Sequence, residues 1–124
     1  MVTALMVKPG EHPAITQLCD DRDYLNHAVS IGEDYLFTAT ATSLEKGIAI
    51  IHNTEYASAL VAGNRRIGKR IIAGTFYIVR VKNGNLQSLT DSDIVRFTLH
   101  FWEPEIFSED EILDAWIDSI CPDL

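Results

Sequence analysis

The chain has 124 residues, 47% of them hydrophobic and 23% charged, with a formal net charge of −8. That length suits one domain with its own core, is short for two ordinary ones, and is too apolar for a disordered chain. No apolar run approaches the roughly 20 residues that cross a bilayer, and the acidic balance argues against a generic nucleic-acid ligand.

The opening MVTALMVK reads as a strand. It lacks a basic leader and stops at Pro9-Gly10, so it is not read as a signal peptide. After the breaker PGEHP, AITQL reads as a second strand joined to the first by a tight turn. Asp20 or Asp21 can cap a helix in which Tyr24, Leu25, Ala28 and Val29 recur at helical spacing. EDYLFTATATS alternates: Tyr35, Phe37, Ala39 and Ala41 face one way, and Leu36, Thr38, Thr40 and Thr42 the other, as in a half-buried strand. LEKG then turns the chain into IAIIHN, a more buried strand.

TEYASALVAGNRRIGKR reads as a long irregular loop. IIAGTFYIVRV reads as one strand, dominated by β-branched and aromatic residues. Asn83-Gly84 is the preferred two-residue hairpin turn and leads into LQSL. Thr90 and Asp93 cap a helix with Leu89 and Ile94 as its staple and Phe97 and Phe101 on its stripe. Pro104 ends it. Ser108 and Glu111 form the capping box of a second helix, with Phe107 and Ile112 as staple and Leu113, Trp116, Ile117 and Ile120 as apolar face. The sum is one α+β domain over residues 1–124, with a core at about 3–101 and an acidic helical extension at 105–124. Its expected architecture is a mainly antiparallel sheet of about five to six strands with helices on one side, two of them C-terminal. Cys19 and Cys121 lie far apart without a Cys-x-x-Cys pair, which points to free thiols and a cytoplasmic setting.

The charge is segregated. Residues 1–96 carry ten acidic and ten basic side chains, whereas residues 97–124 carry eight acidic ones and no Lys or Arg. GNRRIGKR, residues 63–70, resembles a phosphate loop, but Arg70 stands where a metal-binding hydroxyl is needed and a strand follows where a helix should start. A general anion or partner grip by Arg65, Arg66, Lys69 and Arg70 is the better functional reading, beside that of a solvated loop. His52 and Glu55 could form an acid–base pair, and with Arg65 a small-ligand sensor or enzyme. His52 and Glu55 could also be half of a metal site, but His12, His27 and His100 fit no ligand spacing, so no metal or other cofactor is expected. Glu109, Asp110, Asp114 and Asp118 are the solvated face of a helix, a surface for a basic protein partner, or a short imitation of DNA. The basic loop and the acidic helices also suggest a homodimer, since opposite charges can meet across a two-fold axis.

The ordered set MVKPGEHPAITQL, IIHNTE, GNRR, IIAGTFYIV and LQSLTDSDIVRF resembles the family catalogued as domain of unknown function 3846, over roughly residues 3 to 101. The chain departs from that pattern at SIGEDY, at NTEY and in the helix from Ser108 onward. The resemblance implies a bacterial, plasmid or phage accessory protein without assigned chemistry, and it points at Asn53, Glu55, Asn64 and Arg65. The expectation is thus a non-enzymatic binding module. Asn53 and Asn64 would hold a loop closed between them, and Glu55 would pair with Arg65.

Overall fold

The computed structural model describes residues 1–29, 39–53, 63–68 and 70–120, except for the side chains of residues 116 and 118–120. Tyr35, Leu36, Phe37, Thr38, Thr54, Glu55, Lys69 and Cys121, and the side chains of Trp116, Asp118 and Ile120, therefore lie outside the described residues.

The elements in chain order are β1 (Val2–Val7), β2 (Ala14–Leu18), α1 (Arg22–Ala28), β3 (Ala39–Glu45), β4 (Ile48–Asn53), β5 (Gly63–Ile67), β6 (Arg70–Ala73), β7 (Phe76–Lys82), β8 (Asn85–Gln87), α2 (Asp91–His100) and α3 (Glu109–Ile120). The protein is α+β. Six strands form one antiparallel sheet in the order β2-β1-β7-β4-β3, with β8 also paired to β7, while β5 and β6 form a separate two-stranded sheet. Short connections make the hairpins. Gly10 and Gly47 take positive φ in the β1–β2 and β3–β4 turns, and Asn83 (φ 53°) and Gly84 (φ 77°) give the type I′ geometry expected of an Asn-Gly hairpin.

The register explains which strands are apolar throughout. Leu5 and Ile50 both face Ile78, whereas Met6 and Ile51 both face Tyr77, so successive residues point to opposite faces of the sheet. Both faces are covered. On one, Leu5, Val7, Ile48, Ile50, Phe76 and Ile78 pack with Leu89, Phe97 and Phe101 of the α2 region and with Ile72 of β6. On the other, Ala4, Leu18, Ile51, Tyr77 and Val79 pack with Leu25, Ala28 and Val29 at α1. Every residue of β4 is consequently buried. The sheet and the C-terminal helix pair match the sequence reading. The placement of the helices differs in one respect, because α1 covers the face opposite α2. Two-sided burial of β4 and β7 leaves apolar side chains on both faces to cover.

Two further differences lie at residues 63–82. The described residues of GNRRIGKR form β5 and start β6 of a hairpin with Gly68 at positive φ, where the sequence predicts a loop. The expected single strand IIAGTFYIVRV is broken at Gly74 (φ 73°). Its first part stays in the hairpin, and its second becomes the central strand β7. The caps fall where the sequence puts them. Asp21 accepts from the Tyr24 amide at α1, Thr90 and Asp93 form a reciprocal box at α2, and Ser108 and Glu111 do the same at α3.

Candidate functional site

Three clusters of polar side chains result from this packing. The first surrounds Arg65. Its side chain is 1% exposed, the largest fully buried one described. The guanidinium donates to the Phe101 carbonyl through Nε (3.2 Å) and Nη2 (2.9 Å), to the Glu11 carbonyl through Nη2 (2.6 Å), and through Nη1 to Asn64 Oδ1 (2.8 Å) and the Asn64 carbonyl (3.3 Å). All these acceptors are uncharged. Asn64, itself fully buried, donates from Nδ2 to the carbonyls of Val7 and Gly74, both at 2.8 Å. Burial lowers the Arg65 pKa from the ordinary arginine value, and the nearby charge of Glu105 opposes that shift. This pair ties the end of β1, the β1–β2 turn, the Gly74 break and the C-terminal carbonyl of α2 into one knot.

The second cluster lies at the end of β4. His52 is 1% exposed, with Nε2 2.8 Å from Thr42 Oγ1 and Nδ1 3.1 Å from the Asn53 carbonyl. A carbonyl only accepts, so Nδ1 carries the proton of the neutral ring and Nε2 accepts from the threonine hydroxyl. Burial pulls the His52 pKa below 6.5, the bond to the Asn53 carbonyl opposes the shift, and the charge of Arg70 adds to it. Asn53 Nδ2 donates to the Val29 carbonyl at 3.0 Å and so holds the end of α1.

The third cluster was missed by sequence reasoning. Arg80 on β7 meets Asp93 as a two-pronged fork, Nε to Oδ2 at 2.5 Å and Nη2 to Oδ1 at 2.9 Å. Arg96 approaches the same carboxylate at 3.6 Å and donates to Glu45 at 2.6 Å. The hydrogen bonds from Arg80, helped by the Thr90 bonds and opposed by burial, drive the Asp93 carboxyl far below the ordinary carboxylate range. The Thr90–Asp93 cap was legible, but the partner 13 residues away was not.

The sequence-predicted residues are thus brought together only in part. Asn64 and Arg65 touch each other, while Asn53 and His52 form a separate group at the other end of their own strand. Arg66 is exposed: its amide donates to Glu105 (3.0 Å), and its guanidinium lies 4.0 Å from Glu111 and 5.6 Å from the centre of the Phe107 ring. Arg70 is half-buried at the start of β6. Glu109, Asp110 and Asp114 are exposed on α3. The apolar face expected for α3 is corrected. Ile112 and Ala115 turn inward, and Phe107 and Ile112 close over Gly63, where an added Cβ would meet them at 2.9 and 3.2 Å. Leu113 and Ile117 instead point to solvent, 46% and 37% exposed.

Among the described residues no group of three His, Cys, Asp or Glu is disposed to hold a metal ion, and no helix is long and apolar enough to cross a membrane. No family model matches the chain, and neither a curated protein nor a solved structure does.

Proposed function

We propose that the protein is a non-catalytic binding module whose partner surface is the acidic C-terminal segment and whose partner is a basic protein. One observation carries this reading. His52 and Arg65 are held inside by hydrogen bonds that include backbone carbonyls, while six of the nine exposed large apolar side chains among the described residues lie after residue 94. Val95, Leu99, Trp102, Ile106, Leu113 and Ile117 are all exposed there, in a stretch whose last 28 residues hold eight acids and no Lys or Arg. Catalysis needs groups that reach substrate, and His52 and Arg65 are each 1% exposed. The two described members of the His52, Glu55 and Arg65 set are thus shut away from substrate, which disfavours the sensor or enzyme reading.

Mimicry of duplex DNA is the weaker form of the binding reading. Duplex DNA presents one charge per about 1.7 Å of axis, whereas successive carboxylates in one row of a helix lie about 6 Å apart along its axis. With the ordered motifs quoted above, the reading makes the chain a cytoplasmic accessory protein of the bacterial or mobile-element kind. The test is co-purification from the native host, followed by reassembly of the complex from purified components. Wild type should form a stoichiometric complex whose Kd rises at least tenfold in a Glu109→Gln, Asp110→Asn, Asp114→Asn variant. An equal Kd would remove the acidic segment as the partner surface.

A further inference from the structure

The outward face of α3 has a specific chemical form. Helical spacing puts Leu113 and Ile117 at the centre of the face opposite the buried Ala115. Glu109 flanks this pair on one side, and Asp110 and Asp114 flank it on the other. All five side chains are exposed. Solubility accounts for the acids but not for two large aliphatic groups between them.

Glu109, Asp110 and Glu111 suit the helix N-terminus, but helix stability does not account for the acids further along. Asp110 and Asp114 are like charges at i,i+4, a spacing that destabilises a helix, and Asp118 occupies the next such position in the sequence. The last turn of α3 holds no basic residue, although a cation there would be favourable. Among the described acidic side chains of α3, Glu111 alone has an arginine within 4.0 Å, namely Arg66.

Resting on the binding reading above, we propose that this face seats one basic amphipathic helix of a partner protein. Lys or Arg side chains spaced i,i+4 would lie over the Asp110–Asp114 row, and an adjacent apolar row would pack on Leu113 and Ile117. Charge selects this occupant. A second copy pairing this same face across a two-fold axis would oppose the same carboxylates to one another, and nucleic acid or an anionic membrane would meet like charge. A basic helix neutralises both flanks and covers the aliphatic pair with its own apolar row and lysine stems. The exposed Val95 and Leu99 of α2, with Trp102 just beyond that helix, lack this frame, since Arg96 and His100 sit beside them.

The probes are two synthetic peptides of one composition. The first places Lys at i,i+4,i+8 beside Leu at i+3,i+7. The second scrambles that order. Anisotropy titrations with the full chain should show the patterned peptide binding at least tenfold tighter. Leu113→Ser with Ile117→Ser should remove that preference. Asp110→Asn with Asp114→Asn should weaken both peptides and flatten the salt dependence. Circular dichroism confirms that each variant stays folded. Equal binding of the two peptides would overturn the helix seat while leaving a basic-partner surface intact. No binding of either peptide to the folded protein would overturn the binding reading as well. Sedimentation showing a dimer that the Leu113→Ser, Ile117→Ser variant loses would assign the face to a second copy and overturn the proposal.

Discussion

Replacing Arg65 with methionine isolates the work of its guanidinium, because methionine keeps much of the apolar stem and its volume. The substitution removes the donors to the Phe101 carbonyl, to Asn64 Oδ1 and to the Glu11 carbonyl. Glu11 is exposed, and water can replace the arginine there. Phe101 and Asn64 are 3% and 0% exposed, so their acceptors are left without a partner. A buried acceptor stranded in this way costs about 1–3 kcal/mol, which gives a loss of about 2–6 kcal/mol. Against a typical total of about 5–15 kcal/mol this is a large fraction, and it corresponds to a fall of roughly 10 °C or more in Tm. Urea titration with linear extrapolation reads the difference directly. Arg65→Lys keeps the charge but cannot fork, so it should lie between the two. A methionine variant within about 0.5 kcal/mol of wild type would show that the carbonyls are hydrated without the guanidinium, and the knot would not be what holds these segments together.

Other outcomes follow from the remaining contacts. His52 has a lowered pKa in the folded state, so the unfolded chain binds the extra proton. Its contribution to stability is present above pH about 6.5 and is lost as pH falls below that value. His52→Gln should flatten the slope of stability between pH 7 and 5, and parallel slopes would rule out this role. Asp93, also lowered, contributes above the ordinary aspartate range and loses that contribution at more acidic pH. Asp93→Asn should therefore lower stability most at pH 7 and by progressively less as pH falls below the ordinary aspartate range towards pH 2, as read by melts across that range. Gly63→Ala would drive a methyl into Phe107 and Ile112 and should cost about 1–3 kcal/mol, seen as an earlier melt. An unchanged Tm would mean that α3 yields easily. Removing residues 105–124 should expose the hairpin and cause earlier melting or aggregation, and an unaltered melt would make α3 an appendage.

Much of the sheet was legible because its signals are local. Asn83-Gly84, Pro9-Gly10 and Lys46-Gly47 announce turns, and the Thr90 and Ser108 boxes announce helices. The β5–β6 hairpin was not legible, for a physical reason. Its buried positions include Asn64 and Arg65, which invert the usual apolar-inside pattern. They are tolerated only because carbonyls from four distant places converge on them. The break at Gly74 was hidden by the run of strand formers on both sides of it. The candidate site was legible as residue names but not as roles. Asn53, Asn64 and Arg65 stand out in the sequence, and only the tertiary partners identify them as fasteners. The exposed Leu113–Ile117 row could have been found by noticing that α3 has more apolar residues than one inward face accommodates.

The position of β7 sets the order in which the chain can be completed during synthesis. The β1–β2 and β3–β4 hairpins pair with each other nowhere; each joins the sheet only through contact with β7. A nascent chain that ends before residue 76 therefore carries the β1–β2, β3–β4 and β5–β6 hairpins without the strand that joins the first two into one sheet, and an isolated hairpin is marginal in water. Once residues 76–82 leave the ribosome, one strand closes both gaps at once. The Arg65 fork waits longer still, for the Phe101 carbonyl. The protein consequently has no stable N-terminal half, and a stalled or prematurely released product is a substrate for chaperones and proteases instead of a smaller working domain.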